Sequence, residues 1–380
     1  MLIEALGVPI RLDIEGLTDA EASAVHAAWR DATLRSPERF ESPRTVRVRA
    51  EGVTDGFARV LEILSQRVTV EAISARGGDL WMLHAAGLAA PDGRVIVLVG
   101  PSGRGKTTAA RALGAHLGYV SDETVGIGSE GQVYAYRKPL SIVENAGDIH
   151  APKVQRAPSD MGLGEVPAAP LRFAAIVLLD RRPDAPPEPL IEAVDFGDAL
   201  ADLARQSSAL VQLDRPLHVM AGLVESVGGV LRVTYREAAS LPDVISQLMA
   251  GAPRVANADT VTGAVPPPPA RVESPASARD TGNPGWYRGK VIDELALTGP
   301  DRVVVAHASE TATTMVRVLS GIAPALWRAA SGASRDDLIA AAIAAHGEPE
   351  GEDAGALVDA AIAELADVGL LDWRATPPSA

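Results

Sequence analysis

At 380 residues the chain is long enough for two or three domains with cores of their own, and because aromatic residues are only 4% of it, those cores must be aliphatic. The absence of cysteine excludes disulfides, a thiol nucleophile and a thiolate metal site, while a net charge of −14 argues against an electrostatic grip on nucleic acid or anionic lipid. Residues 1–15 show no secretory signal and no apolar run is as long as a membrane span, so we expect a cytoplasmic protein with neither a membrane nor a nucleic-acid partner.

Residues 1–79 are predicted to form an α+β segment that flanks the next domain. Thr18 and Glu21 have the spacing of a capping box, which predicts a helix through Ala28 or beyond. The stretch from residue 45 to residue 50 alternates apolar and charged side chains, which is typical of a half-buried strand. Residues 55–66 are a second predicted helix. No residue pattern in this segment indicates a chemical site.

Two apolar runs come next, separated by the turn residues Pro91, Asp92 and Gly93. Residues 80–89 have the composition of one buried strand, and residues 94–99 form an unbroken run such as a buried parallel strand needs. Because the turn joins the two runs directly, we expect them to be adjacent and linked as a hairpin.

The second run leads into Gly-Pro-Ser-Gly-Arg-Gly-Lys-Thr at residues 100–107, which matches G-x-x-x-x-G-K-[ST] at every fixed position. The Ala- and Leu-rich stretch 108–117 behind it is predicted to be a helix. A strand, a glycine loop and a helix in this order place backbone N–H groups around a phosphate. The motif therefore predicts a site for ATP and Mg²⁺, in which Lys106 reaches the β- and γ-phosphates and the Thr107 hydroxyl ligates the metal. The predicted nucleotide-binding residues are Gly100, Ser102, Gly103, Arg104, Gly105, Lys106, Thr107 and Thr108.

Two acidic positions compete for the metal-side carboxylate. Asp122 and Glu123 end a short predicted strand only 16 and 17 residues after Lys106, which favours a compact kinase-type core. Asp180 ends the apolar run 174–179 and has the position of the distant Walker-B acid of many P-loop ATPases. Adjacent acids can divide the work, because one can accept a proton from an attacking hydroxyl while the other holds Mg²⁺. The residues alone leave both assignments open.

The rest of this region contains predicted elements and isolated candidates. Residues 196–206 and 241–249 are predicted helices, with residues 230–235 a strand between them. Lys138 and Arg172 are candidates for contact with phosphate or substrate, and a solvated surface charge is the equal alternative for each. For His84, a lone histidine in an apolar run, the residue pattern by itself favours a structural role.

Together these segments resemble the HPr kinase/phosphorylase family, whose core is related in fold to phosphoenolpyruvate carboxykinase. The resemblance covers roughly residues 80–245, within a predicted kinase-like core at 80–250, and is carried by Leu-His-Ala at 83–85, the glycine loop, and Tyr-Val-Ser-Asp-Glu at 119–123. It implies that His84 and Lys106 lie at the catalytic site, that Asp122 accepts the proton, and that Glu123 binds metal together with Asp122 and Thr107. Glu123 stands where the family usually has Asp, and no counterpart of the HPr-docking C-terminal region is present. The resemblance therefore implies a kinase core rather than HPr as its substrate.

From residue 251 to residue 288 the composition changes to Pro, Ala, Ser, Thr, Asp and Gly, with four consecutive prolines at 266–269. Such a segment cannot bury enough apolar surface to fold, so we predict an extended linker.

Residues 289–376 are predicted to form a small α+β domain. The predicted strands are 302–307 and 314–319, and the predicted helices are 323–330, 334–345 and 353–368. This pattern resembles a PqqD-type winged-helix module, a family that commonly recognises the leader peptides of ribosomally made, modified peptides. The resemblance implies that a peptide adds as a strand to the edge of the module's sheet. DNA binding, the alternative for a winged helix, is disfavoured because the third helix carries several acids that would repel phosphate.

The sequence thus predicts an α/β P-loop kinase core joined to a small α+β winged-helix domain. The expected activity is transfer of the γ-phosphoryl group of ATP to a Ser or Thr hydroxyl of a peptide or small protein held by the C-terminal domain. The alternatives are a nucleotide-binding scaffold that recruits a peptide and a P-loop ATPase. The segment Leu-Ser-Gly-Gly-Gln, which a transporter-type ATPase needs, is absent. Whether the chain forms a homo-oligomer is left open.

Overall fold

The computed structural model describes residues 1–34, 42–53, 56–101, 105–143, 153–250, 284–297, 301–308 and 314–375. The chain separates into two compact units, one built from Met1–Asp214 and Val219–Asp259 and the other from Arg215–His218 and Thr260–Ala380. The predicted linker lies outside the described residues as far as residue 283, and so do Ser102, Gly103 and Arg104 of the glycine loop. None of the described helices is both long and apolar enough to cross a membrane.

The first unit mixes short strands with helices. The strands are β1 Leu2–Ala5, β2 Val8–Glu15, β3 Arg44–Arg49, β4 Leu80–Leu83, β5 Ala85–Ala89, β6 Arg94–Val99, β7 Gly118–Ser121, β8 Val125–Gly128, β9 Val133–Tyr134, β10 Leu140–Val143, β11 Lys153–Arg156, β12 Arg172–Arg181, β13 Leu190–Val194, β14 Ser207–Ser208 and β15 Val230–Tyr235. The helices are α1 Asp19–Trp29, α2 Gly56–Arg76, α3 Lys106–Gly114, α4 Phe196–Arg205, α5 Pro216–Ser226, whose first residues belong to the second unit, and α6 Leu241–Met249.

The N-terminal part of this unit is a three-stranded sheet of order β1-β2-β3, in which β1 and β2 form a hairpin and β3 pairs with β2 in parallel. Helix α1 begins at the predicted capping box, because Thr18 and Glu21 each bond the other's backbone N–H. Helix α2 continues to Arg76, well past the predicted end, since buried residues recur at helical spacing beyond residue 66. Both helices share one apolar cluster with the sheet, and this cluster includes the fully buried Trp29.

A polar network joins this N-terminal part to later residues of the same unit. Asp31, just after α1, accepts hydrogen bonds from the Ser159 backbone N–H at 2.6 Å and from the Ser159 hydroxyl at 3.0 Å. Its Oδ2 also lies 3.6 Å from the guanidinium of Arg137, which is 9% exposed. Arg30 adds contacts with Ser159 and Asp160. Hydrogen bonds and ion pairs of Arg30 and Asp31 therefore hold the N-terminal part against Arg137, Ser159 and Asp160.

The main sheet has six strands in the order β13-β15-β12-β6-β5-β7. Strands β15, β12 and β6 are parallel, and β5 pairs antiparallel with both β6 and β7. Strand β7 therefore runs in the same direction as β6, and the carboxyl ends of β6, β7, β12 and β15 share one edge of the sheet. Helices α3 and α6 pack on one face through Ala109, Leu113 and Ile245. This mixed α/β arrangement with a parallel sheet segment is compatible with a P-loop kinase-like core.

The stretch 80–89 differs from the prediction of a single strand. It breaks at His84 into β4, which belongs to the sheet β14-β4-β8-β9, and β5, which belongs to the main sheet. Both halves are fully buried, so apolarity alone gave no signal of the break. The predicted hairpin is confirmed for β5 and β6, with Ala85 opposite Val99 and Ala89 opposite Val95.

From residue 284 onward, the described residues of the second unit form six strands and three helices. They are β16 Gly285–Arg288, β17 Asp293–Ala296, β18 Val303–Ala308, β19 Thr314–Leu319, α7 Ala323–Ala329, β20 Ser331–Ala333, α8 Arg335–His346, α9 Ala354–Asp367 and β21 Leu371–Arg374. Strands form two sheets, β20-β16-β21 and β17-β18-β19, around a cluster that includes the fully buried Trp327 and Leu326. The two predicted strands and three predicted helices are confirmed to within about two residues, the usual uncertainty at element ends.

Candidate nucleotide-binding site

The predicted phosphate loop lies between β6 and α3, as the motif requires. Gly105 is the residue before α3 and has φ of +90°, a left-handed conformation that glycine adopts without strain. Thr107 and Thr108 are exposed in the first turn of α3, which contains no acidic residue. The described part of the loop thus presents a helix N-terminus and hydroxyl groups at the carboxyl edge of the sheet, an arrangement that attracts an anion.

Lys106 is the buried cation of this site, with only 6% of its surface exposed. Its Nζ donates a hydrogen bond to the Gly100 carbonyl at 2.7 Å, so the side chain folds back over its own loop. Burial lowers the pKa of Lys106, while the carboxylates of Glu123 and Asp122 act in the opposite direction. The Lys106 ammonium therefore lies within electrostatic reach of both predicted acids.

Asp122 follows β7 and is held by a tyrosine that the sequence prediction did not single out. The Tyr119 hydroxyl donates to Asp122 Oδ1 at 2.6 Å, and burial, together with the Asp122 charge, raises the pKa of Tyr119 well above its usual range. The Arg137 guanidinium lies 5.9 Å from the Tyr119 ring centroid and donates to the Tyr119 carbonyl at 3.0 Å. The hydrogen bond from Tyr119 thus fixes the Oδ1 oxygen of Asp122. Its other oxygen, Oδ2, has no hydrogen-bond partner among the described residues.

Glu123 is clamped by two nitrogen-bearing side chains. His84 Nδ1 donates to the Glu123 backbone carbonyl at 2.9 Å and lies 3.5 Å from Glu123 Oε1. Lys138 Nζ lies 3.2 Å from Glu123 Oε2, and Lys138 is 7% exposed. Burial alone would raise the pKa of Glu123, but His84 and Lys138 outweigh it and lower the pKa to about 2. Lys138, which the sequence left as a phosphate contact or a solvated charge, is in this structure a buried partner of Glu123.

The competing acid, Asp180, also reaches this edge. Strand β12 lies directly beside β6 with Leu178 opposite Val99, and Asp180 follows two residues later. Its Oδ2 is 2.7 Å from the guanidinium of Arg182. Both acidic candidates are therefore at the edge that carries the phosphate loop, but Asp122 and Glu123 are the ones that act on the Lys106 charge.

Arg172 is placed elsewhere. It lies opposite Arg94 at the amino end of β12, six residues before Leu178, which is about 20 Å along a strand. Because that distance exceeds the reach of an arginine side chain, the hypothesis that Arg172 contacts phosphate at the loop is wrong.

The donor set fits Mg²⁺, which prefers hydroxyl, carboxylate and phosphate oxygens. Thr107 and Asp122 supply a hydroxyl and a carboxylate oxygen without a competing partner among the described residues, whereas the Glu123 oxygens face the nitrogens of His84 and Lys138. No group of three or more His, Asp or Glu side chains that could hold a metal by itself occurs in the described part of the chain. These residues would therefore hold the ion together with phosphate oxygens, as in sites where Mg²⁺ arrives with the nucleotide.

Comparison with solved structures found likenesses, of which one is described here. No family model matches the chain, and no curated protein does. The solved HPr(Ser) kinase/phosphatase from Coxiella burnetii is similar to it at 15% sequence identity and a TM-score of 0.26, over 45% of this chain and 94% of that chain. At this TM-score the likeness is weak.

Proposed function

We propose that the first unit binds ATP with Mg²⁺ and transfers the γ-phosphoryl group to a hydroxyl of a peptide or small protein. The observation that carries this proposal is the convergence of the buried Lys106 and the Asp122–Glu123 pair at one edge of the sheet, beside the N-terminus of α3. A binding module without turnover needs the phosphate loop but no proton acceptor, whereas Asp122 keeps one carboxylate oxygen without a partner among the described residues.

Each residue has a distinct part in the reaction. Lys106 exchanges its bond with the Gly100 carbonyl for the β- and γ-phosphates, and Thr107 orients the phosphates at the helix N-terminus. The attacking hydroxyl oxygen bonds to the γ-phosphorus as the bridging β–γ oxygen bond breaks, and Asp122 accepts the hydroxyl proton. Thr107 and Asp122 would hold Mg²⁺ together with the phosphate oxygens, and the ion would neutralise charge there. Glu123, held ionised by His84 and Lys138, keeps these side chains oriented.

For the second unit we propose peptide recognition by a PqqD-like module. Strand β19 is at an edge of the sheet β17-β18-β19 within the described residues, and Met315 on it is 39% exposed. An edge strand offers backbone N–H and C=O groups to which an extended peptide can pair. Since both units belong to one chain, a captured peptide has a raised effective concentration at the first unit. A tailoring kinase for ribosomally made peptides would use this arrangement.

The test is phosphopeptide formation. Synthetic Ser- and Thr-containing peptides retained by the full chain are incubated with ATP and Mg²⁺ and analysed by mass spectrometry. We expect phosphopeptide from the wild type, a severe loss in Asp122→Asn with ATP still bound, and a mild effect of Asp180→Asn. ATP binding without phosphopeptide from any retained peptide would favour the scaffold alternative. Peptide-independent ATP hydrolysis that depends on Asp180 would favour the ATPase alternative, which the position of Asp180 beside the loop supports.

A further inference from the structure

A tyrosine without an assigned role lies against the phosphate loop. Tyr235 is the last residue of β15, opposite Arg181 on the neighbouring β12, so it is at the same sheet edge as Lys106. Its surface is 0% exposed, and its hydroxyl oxygen has no hydrogen-bond partner within the described part of the chain. A Cβ added to Gly105 would lie 3.4 Å from that oxygen. The hydroxyl thus lies against Gly105, the residue immediately before α3.

The missing partner sets Tyr235 apart from other buried tyrosines of the unit. The Tyr119 hydroxyl bonds Asp122 at 2.6 Å, and the Tyr136 hydroxyl bonds Thr69 at 2.8 Å. A buried hydroxyl without a partner destabilises the fold, and phenylalanine would fill the same space without that cost. A tyrosine at this position is therefore explained by a partner that is present only when a ligand is bound.

The neighbouring groups identify the ligand chemistry. The N-terminus of α3 attracts anions, and burial raises the pKa of Tyr235, which keeps the hydroxyl protonated and able to donate. Arg181 also lies near Gly105, but its Nε donates to the Arg236 carbonyl at 3.0 Å and a terminal nitrogen pairs with Glu237 at 3.2 Å. Its guanidinium is engaged by these two partners.

We infer that Tyr235 is a nucleotide-binding residue whose hydroxyl donates a hydrogen bond to a phosphate oxygen held at the N-terminus of α3. This inference rests on the proposed function, because it needs the loop to hold a polyphosphate. Such a bond to a charged acceptor accounts for a buried hydroxyl that finds no partner among the described residues.

The test compares the full-length wild type with Tyr235→Phe and with Tyr136→Phe as the matched control, using calorimetric titration with ATP and with inorganic pyrophosphate. In Tyr235→Phe we expect affinity for both ligands to fall about tenfold. Its ligand-free melting temperature should stay the same or rise, because no existing hydrogen bond is lost. Tyr136→Phe should show the opposite pattern, a lower melting temperature with unchanged affinity.

The failures can be told apart. If the wild type binds neither ATP nor pyrophosphate, the proposed function and this inference are both overturned. If the wild type binds them and Tyr235→Phe binds them equally well, the inference alone is overturned. A lower melting temperature in ligand-free Tyr235→Phe would also overturn it, since the hydroxyl would then have a partner within the fold.

Discussion

The clamp on Glu123 makes the stability of the first unit depend on pH, and Glu123→Gln tests this dependence. The pKa of Glu123 is lowered from 4.5 to about 2 in the fold. A difference of this size corresponds to about 3 kcal/mol if fully expressed. Because 34% of the Glu123 side chain is exposed, solvent screening reduces it, and we expect about 1.5 kcal/mol.

The sign follows from the direction of the shift. A carboxyl group whose pKa is lower in the folded than in the unfolded state stabilises the fold at pH values above the unfolded pKa. That stabilisation is lost as the pH falls from 4.5 towards 2. We therefore expect the stability difference between wild type and Glu123→Gln to fall by more than half between about pH 5.5 and about pH 3.

Urea unfolding of both full-length proteins, followed by circular dichroism across this pH range, measures the difference directly. The second unit is identical in both proteins, so its contribution cancels. Glu15→Gln is the control, since Glu15 and its partner Arg49 are 57% and 81% exposed and the pair should add little at any pH. Loss of a partner for the buried Lys138 adds a constant penalty in Glu123→Gln. If the stability difference between wild type and Glu123→Gln does not shrink between pH 5.5 and pH 3, then His84 and Lys138 do not lower the pKa of Glu123.

The remaining predictions concern the loop and the linker. Lys106→Ala should abolish ATP binding in calorimetry, because the described loop loses its side-chain cation; unchanged affinity would contradict the placement of the site. Gly105→Ala should lower the free energy of unfolding by about 1–2 kcal/mol through its positive φ and also weaken ATP binding. Gly52→Ala is the control, because Gly52 has φ +79° and no atom lies near its added methyl. It should lower the free energy of unfolding without weakening ATP binding. Equal ATP affinity in both variants would argue against a role for Gly105 in the site. Cleavage within residues 251–283 should preserve ATP binding and peptide binding but reduce phosphopeptide formation at low peptide concentration; undiminished phosphorylation would exclude a tethering role.

Local patterns predicted much of this architecture. The glycine-loop motif, the apolar run before it and the turn at 91–93 determined the order of β5, β6 and α3 because each depends on neighbouring residues. The break at His84 was missed, since β4 and β5 are equally apolar and differ only in the sheet they join. Strands β16, β20 and β21 are four residues or shorter, too short for a periodic signal.

In the candidate site, sequence could name the side chains but not their partners. Asp122 and Glu123 were predicted from their place after a strand, and the structure brings them near Lys106. The partners differ between the two acids: Tyr119 holds one oxygen of Asp122, whereas His84 and Lys138 both contact Glu123. Lys138 lies 15 residues beyond Glu123 on another segment, so only the fold pairs them. Tyr119 is close in sequence, yet its hydroxyl bond requires a turn that no motif encodes. Tyr235 comes more than a hundred residues after the loop and carries no sequence signal.

Because Asp31 contacts Arg137, the N-terminal segment helps to position Asp122 in the candidate site. Arg137 donates a hydrogen bond to the Tyr119 carbonyl, and the Tyr119 hydroxyl donates one to Asp122. Asp31 forms an ion pair with the same Arg137 guanidinium. A fragment that began at the first strand of the proposed kinase core would leave this cation facing an empty space where its carboxylate stood. If parts were exchanged between related chains, the N-terminal segment that carries Asp31 would therefore have to be exchanged together with the segment that carries Tyr119, Asp122 and Arg137, although Asp31 lies 49 positions before the start of β4 at Leu80.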